Sequence, residues 1–129
     1  MAITLVTASL IGLLLIYLSA NVSRERGRAK VSVGDGGDEQ LINAIRAQGN
    51  LTEFAPVALI LLGLLEYQGT NPIILMVFGA AFVLGRLMHG LTFGKFEGRN
   101  PYRFWGTILS WLMILLASLL GLAKGFHLF

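Results

Sequence analysis

A short polar segment inside an apolar sequence holds the residue types that could do chemistry here. Residues 46–56 read Arg-Ala-Gln-Gly-Asn-Leu-Thr-Glu-Phe-Ala-Pro, so a cation, two amides and a carboxylate lie within eight residues. At about 100° per helical residue, Arg46, Asn50 and Glu53 fall on one helix face. A charge at the centre of a membrane helix costs on the order of 3 kcal/mol, so such groups face the bundle interior and pair. The stripe predicts either a helix lock, in which Arg46 pairs with Glu53 or Asn50, or a pocket for a polar ligand.

Three further polar groups lie inside or at the edge of apolar segments. Arg86, His89 and Phe93 follow one another at helical spacing and share a face. Arg103 follows Asn100-Pro101 and is expected in the first turn of a helix, where a cation opposes the macrodipole. An anionic ligand, a carboxylate such as Glu53 or a lipid phosphate could compensate it. The structural alternatives are an interhelical hydrogen bond for His89 and snorkelling to the headgroups for Arg103.

The composition is that of a membrane protein. Of 129 residues, 55% are hydrophobic and 13% charged, and the mean hydropathy is +0.72. A soluble domain carries about 25% charged residues. The chain has no cysteine, and its two histidines lie far apart in sequence, so we expect no disulfide, no cysteine nucleophile and no metal site. The net charge of +3 comes without a basic run interleaved with aromatics, so we expect no nucleic-acid partner.

The elements that must position these groups are four membrane-spanning helices. The apolar runs and turn signals predict an all-α integral membrane protein, with a single domain over residues 1–129 and helices at about 2–23, 39–67, 72–94 and 101–123. Asp38, Asn71 and Asn100 are predicted N-caps, and prolines follow two of them at the first helical position.

The loop cations predict the orientation. The first loop holds Arg24, Arg26, Arg28 and Lys30, the third holds Lys95 and Arg99, and the connection between them has no Lys or Arg. By the positive-inside rule, loops one and three of this multi-pass protein are cytoplasmic, and both termini are periplasmic if the membrane is a bacterial inner membrane, or luminal in a eukaryote. The first-loop arginines then have the topology signal as their alternative role. This orientation draws several polar residues to the cytoplasmic leaflet, as for an anionic, amide-rich ligand: Arg24, Arg46, Asn50, Glu53, Arg86, His89 and Arg103.

The polar segment resembles a known family signature. Arg-Ala-Gln-x-Asn-x-x-Glu-Phe-x-Pro over residues 46–56 is similar to the motif of the MAPEG superfamily, the membrane-associated proteins in eicosanoid and glutathione metabolism. Gly85-Arg86-x-x-His89 resembles the family's third helix, and the short length and Gly34-Asp35-Gly36-Gly37-Asp38 loop resemble its small bacterial members. The resemblance covers nearly the whole chain. It implies a four-helix subunit, a homotrimer, and glutathione held between subunits near the cytoplasmic face.

The resemblance also implies residue roles. Arg46, Asn50 and Glu53 would bind glutathione, and Gln48 would contribute from the adjacent subunit. Arg86 and His89 match ligand-contacting positions, and an arginine at the end of the first helix, either Arg24 or Arg26, would also contribute. Arg103 matches the arginine that stabilises the glutathione thiolate. A free thiol has a pKa of about 8.5, and a nearby cation lowers it.

Two departures from the family pattern bear on the ligand. Phe54 and Phe93 stand where several eukaryotic members carry tyrosine, so two hydroxyl contacts are missing. The function implied is a glutathione transferase-like enzyme acting on lipophilic electrophiles, by conjugation or as a peroxidase. The alternatives are a non-catalytic binding or scaffold protein on the same fold, because the family has a non-enzymatic member, and a small transporter subunit. A transporter would place polar groups at the midplane and on both sides, whereas these cluster on one side.

Overall fold

The computed structural model describes residues 1–95 and 98–128, and these form four α-helices. Helix α1 spans Ala2–Ala29, α2 Glu39–Tyr67, α3 Pro72–Thr92 and α4 Pro101–Gly125. Each is long and apolar enough to cross a membrane. The prediction of an all-α membrane protein with four spanning helices is therefore confirmed. Residues 96 and 97, in the third predicted loop, lie outside the described residues.

Helix α1 is longer than the sequence predicted. It continues to Ala29 rather than ending at about residue 23. The additional turns are charged, and charged side chains are compatible with a helix once it has left the hydrocarbon. Arg28 pairs with Glu25 one turn earlier, and basic residues suit the negative end of the helix dipole. Helix α3 ends two residues earlier than predicted, at Thr92, ahead of Gly94 with φ +76°, and α4 continues to Gly125 rather than 123.

Helices α2, α3 and α4 begin at the predicted N-caps. The Asp38 carboxylate accepts from the Leu41 backbone N–H at 2.9 Å. The side chains of Asn71 and Asn100 accept from the backbone N–H of Ile73 at 2.8 Å and of Arg103 at 3.1 Å. Each cap satisfies a donor that the first turn would otherwise leave unpaired.

Helices α2 and α3 form the centre of the bundle. Each of them contacts the other three helices, whereas α1 and α4 do not meet among the described residues and lie on opposite sides. The core between them holds Leu62, Leu75 and Phe82, which are almost completely buried. Most large side chains on the outer faces of α1 and α4 are exposed apolar residues, as lipid contact requires.

Helices α3 and α4 cross at backbone contact. A Cβ added to Gly85 would lie 2.8 Å from the carbonyl oxygen of Gly106, and a Cβ on Gly106 would lie 2.5 Å from the carbonyl oxygen of Gly85. Small residues allow membrane helices this approach. The crossing brings the backbone of α4 within reach of the residue after Gly85, which is Arg86.

At the opposite end of the bundle, Glu66 joins α1 to the last turn of α2. Its carboxylate accepts from the backbone N–H of Ile3 at 3.0 Å and of Thr4 at 2.8 Å, and from the Thr4 hydroxyl at 2.6 Å. A carboxylate at a helix N-terminus satisfies unpaired donors and suits the helix dipole. The start of α1 therefore takes its cap from another helix.

Candidate functional site

The predicted site residues lie at one end of the bundle, here called the polar end. It is formed by the end of α1, the start of α2, the end of α3 and the start of α4. The first three line a common crevice of about 290 Å³. The start of α4 lies against the end of α3, where Arg103 covers Phe93. The sequence prediction that these stretches converge at one depth agrees with this arrangement.

Arg86 is buried and holds three helices together. Only 2% of the residue is exposed. From α3, its Nε donates to the Ser110 hydroxyl of α4 at 2.9 Å, and its Nη2 donates to the Gly106 carbonyl at 3.3 Å. Its Nη1 donates to the Asn50 side-chain oxygen of α2, and its guanidinium lies 5.3 Å from the centre of the Phe54 ring. All three guanidinium nitrogens are thus engaged within the subunit.

The polar stripe of α2 divides between two directions. Asn50 turns inward to Arg86, whereas Arg46 and Glu53 form an ion pair with Nη1 and Oε1 3.4 Å apart. The side chains of that pair are 53% and 55% exposed, so they lie on the outer surface of the subunit. Gln48 points elsewhere, and its amide donates to the Ser19 hydroxyl of α1 at 3.1 Å. The Arg46–Glu53 helix lock is therefore present in this chain, on an open face.

His89, Phe93 and Arg103 form a stack at the junction of α3 and α4. His89 is buried, with 3% exposed, and its ring centre lies 5.2 Å from that of Phe93. The Arg103 guanidinium lies 4.7 Å from the centre of the Phe93 ring. A cation at this distance is attracted by the ring face. Phe93, where the resemblance implies a hydroxyl, instead positions the guanidinium of Arg103.

A second opening lies beside Arg103 on the outer face of α4. This groove of about 330 Å³ is lined by Arg99, Arg103 and Thr107 on its polar side and by Ile108 and Trp111 deeper along the helix. The Arg99 guanidinium lies 5.2 Å from the centre of the Phe104 ring. Arg103 therefore stands between a polar region and an apolar surface.

The arginines at the end of α1 have separate partners. Arg24 donates to the side-chain oxygen of Asn21 and lines the crevice at the polar end. Arg26 donates to the carbonyl of Gly34 at 2.6 Å and thereby fixes the first loop. The Arg24 side chain borders a cavity, whereas the Arg26 side chain has a structural contact.

Positive charge is in excess at the polar end. Arg86 lies one turn before His89 in α3, and Arg103 lies over Phe93, whose ring contacts that of His89. Arg46 lies one turn before Asn50, which accepts from Arg86. Glu53 is the ion-pair partner of Arg46, and among the described residues neither Arg86 nor Arg103 has a carboxylate partner. Residues 1–95 and 98–128 contain no group of three His, Cys, Asp or Glu side chains that could hold a metal. The arrangement is suited to an anion.

Sequence reasoning missed the partners that α4 gives to Arg86. Ser110 is completely buried, and its hydroxyl, which accepts from Arg86, donates to the Gly106 carbonyl at 3.0 Å. The available signal was a glycine and a serine one turn apart in an otherwise apolar helix. Small residues at that spacing mark a close helix contact.

Comparisons with known proteins agree with this architecture. The MAPEG family model matches residues 4–123. The inner membrane protein YecN of Escherichia coli strain K12 is 35% identical over 115 residues, which cover 89% of this chain and 86% of that protein. YecN of Escherichia coli O6:H1 strain CFT073 matches with the same values. The match spans all four helices and both motifs that carry the resemblance, and the chain belongs to the MAPEG family.

Proposed function

We propose that this protein is a membrane-embedded glutathione transferase-like enzyme. It binds glutathione at the polar end, between subunits of a homotrimer, and activates the thiol for attack on lipophilic electrophiles. The observation that carries the proposal is geometric: Arg103 lies over Phe93 beside His89, Arg86 is buried one turn before His89, and neither arginine has a carboxylate partner among the described residues. A buried or half-buried cation without a carboxylate is stabilised by an anionic ligand.

Arg103 is the residue best placed to stabilise a thiolate. Its side chain is exposed, has no carboxylate partner among the described residues and is positioned by Phe93. In the reaction, the thiolate sulfur forms a bond to the electrophilic carbon, and the leaving group departs with the electron pair of the bond that breaks. The adjoining groove along Ile108 and Trp111 offers an apolar surface from which a lipophilic electrophile approaches. Positioning and charge stabilisation supply the catalysis, so no protein nucleophile is needed.

Arg46 and Glu53 support a site shared between subunits. Both face outward and are more than half exposed. A neighbouring subunit that covers this face would bury the pair, and a zwitterionic tripeptide between the subunits would offer a carboxylate to Arg46 and an ammonium to Glu53. Gln48 lies on the side of α2 that faces α1. Its contribution to the adjacent subunit's site is what the family resemblance implies, and it would require the hydrogen bond from Gln48 to Ser19 to be given up.

The test is a binding isotherm for reduced glutathione on the purified protein, beside an S-alkyl analogue, with native mass spectrometry of the same sample. We expect three protomers and saturable binding. Arg46→Ala should weaken binding by about 2 kcal/mol, or roughly 30-fold, because a charge-assisted contact is lost. Lys30→Ala is the matched control, since Lys30 is an exposed cation of the first loop. Equal losses in both variants, or a monomer that still binds, would overturn the shared site.

A non-catalytic binding or scaffold protein is the second candidate. It is favoured by the Arg46–Glu53 pair, which satisfies both charges without a ligand. Absorbance near 240 nm reports the thiolate (a general property of thiolates) and separates the two candidates. Binding of glutathione without thiolate formation at neutral pH would favour the non-catalytic function.

A further inference from the structure

A polar crevice opens at the polar end between α1, α2 and α3. It has a volume of about 290 Å³ and is separate from the groove beside Arg103. Its lining includes three side-chain amides, Asn21, Gln40 and Asn43, together with Arg24 and Lys95. Neither Arg46 nor Arg103 lines it. The crevice is therefore distinct from the proposed thiolate position.

The crevice continues into an apolar groove along the seam between α1 and α3. Tyr17 and Leu91 line both the crevice and the next opening, of about 300 Å³. Leu10, Val83 and Leu87 line that opening and a third one, of about 590 Å³. The three openings together make one channel on the bundle surface, with a polar head and an apolar tail.

The polar head of this channel carries excess positive charge. Glu25 is an acidic residue of its lining, and its carboxylate is paired with Arg28 at 2.6 Å. Within residues 1–95 and 98–128, Arg24 and Lys95 have no ion-pair partner. The two cations and the amides, with the only acid among the described lining residues already paired, match an anionic phosphate headgroup better than a zwitterionic headgroup, whose ammonium would find no free carboxylate among those residues.

The dimensions match one lipid leaflet. At about 1.5 Å per residue, Leu10 lies roughly 21 Å from Arg24 along α1. Half of a hydrocarbon core of about 30 Å is roughly 15 Å, which leaves the remaining length for a headgroup. We propose that the seam between α1 and α3 binds one anionic phospholipid of the surrounding bilayer, with its phosphate between Arg24 and Lys95 and an acyl chain along Leu10, Val83 and Leu87.

The test compares two lipids on the purified full-length protein in detergent. Phosphatidylglycerol and phosphatidylethanolamine with identical acyl chains are titrated in, and adducts are counted by native mass spectrometry without any thiol present. We expect one phosphatidylglycerol to be retained in preference to phosphatidylethanolamine. Lys95→Gln should lower that preference about five-fold, since one cation near a lipid surface contributes about 1 kcal/mol. Lys30→Gln, which removes a cation outside the crevice, should leave the preference unchanged.

A second pair of variants tests the apolar part of the channel between α1 and α3. Leu87→Trp fills the seam, whereas Leu112→Trp places the same indole on an exposed position of α4; these leucines are 36% and 49% exposed. Only Leu87→Trp should reduce retained phosphatidylglycerol. The proposal would be overturned if both lipids were retained equally, or if Lys95→Gln and Lys30→Gln had equal effects on the lipid preference. It would also be overturned if Leu87→Trp left the retained phosphatidylglycerol unchanged, whether or not the subunit number changed. If Leu87→Trp does not fold, the lysine pair decides alone.

Discussion

At the scale of single residues, Arg86 and Arg46 show how the same side chain takes two roles. Arg86 is buried and donates to a hydroxyl, an amide oxygen and a backbone carbonyl of its own subunit. Arg46 is half exposed and touches one carboxylate. Resemblance to the family assigned both to glutathione. The geometry makes Arg86 a tether between helices and leaves Arg46 available to a ligand.

Arg86→Ala should destabilise the folded protein, because it removes a buried guanidinium and leaves Asn50 without its donor. We expect a loss on the order of 3 kcal/mol in the free energy of unfolding. Arg86→Lys should recover only part, since an ammonium cannot reproduce the planar fork. Thermal unfolding in detergent measures this, with Arg46→Ala as the exposed control, expected within about 0.5 kcal/mol of wild type. Unchanged unfolding of Arg86→Ala with lost glutathione binding would make Arg86 a ligand residue instead.

Arg103→Ala should raise the pKa of bound glutathione's thiol more than it weakens glutathione binding, because its proposed role is to stabilise the anion. Titrating thiolate absorbance against pH measures the pKa, a glutathione binding isotherm measures the affinity, and conjugation of a chlorodinitrobenzene measures the rate. Arg103→Lys should restore part of the rate. Phe93→Leu keeps the apolar volume but removes the ring under Arg103, so it should shift the thiol pKa in the same direction by less. An unchanged pKa and rate in Arg103→Ala would exclude this role.

At the scale of helices, side-chain caps define where each element begins. The caps of α2, α3 and α4 come from the residue just before the helix, whereas the start of α1 is capped by Glu66 of α2. The first loop is also fastened by charge, since Arg28 donates to the Asp38 carboxylate at 2.5 Å. Asp38 therefore both caps α2 and joins it to α1.

This double role makes the start of α2 sensitive to acid. The hydrogen bond from Arg28, with that from the Leu41 N–H, holds the pKa of Asp38 below its ordinary value. A lowered pKa stabilises the fold above the ordinary value of about 3.9, and this contribution is lost as the pH falls through the lowered pKa. The difference in melting temperature between wild type and Asp38→Asn should be constant from about pH 7 to 5 and shrink below about pH 4. When Arg28 is first replaced by Gln, the change in melting temperature that Asp38→Asn causes at neutral pH should be smaller. An equal difference at both ends of the range would contradict this explanation.

At the scale of the whole molecule, polar chemistry is concentrated at one end of an apolar bundle. The thiol site is proposed at the polar end, with Arg46 on α2 and Arg103 on α4, and the lipid site on the seam between α1 and α3. Both lie at the polar end: Arg24 and Lys95 line the crevice of the lipid site, and Arg99 and Arg103 line the groove of the thiol site. Such a one-sided distribution suits a protein that receives a water-soluble ligand from one compartment and an apolar one from the bilayer.

The loop cations predict that the polar end is cytoplasmic and that both termini are periplasmic. Single cysteines test this cleanly, because the chain has no native thiol. Ser32→Cys in the first loop should react with an impermeant maleimide only from the cytoplasmic side, and Gln68→Cys only from the periplasmic side. Both positions are exposed, whereas the neighbouring Thr70 is buried and would label poorly. Labelling of position 68 from the cytoplasmic side would reverse the orientation.

The sequence by itself determined the four spans, three of the caps and the residue types of the site. The hydropathy of a spanning helix depends only on that helix's own residues. The side chains of Asp38, Asn71 and Asn100 each accept a hydrogen bond from the first turn of the helix that follows, so these caps can be predicted without any distant contact. The end of α1 was less predictable. Beyond the hydrocarbon, helix length depends on local pairs such as Glu25–Arg28 rather than on hydropathy.

Only the tertiary structure decided which polar residues pair with which. Helical spacing placed Arg46, Asn50 and Glu53 on one face, and either Asn50 or Glu53 could have been the partner of Arg46. The backbone contact of Gly85 with Gly106 fixes α4 against α3, and this gives Arg86 a carbonyl and a hydroxyl from residues that are 20 and 24 positions away. With Arg86 held there, Asn50 satisfies its third nitrogen, and Arg46 is left with Glu53 on the open face. A buried cation must satisfy its donors, and which acceptors reach it depends on how helices distant in sequence cross.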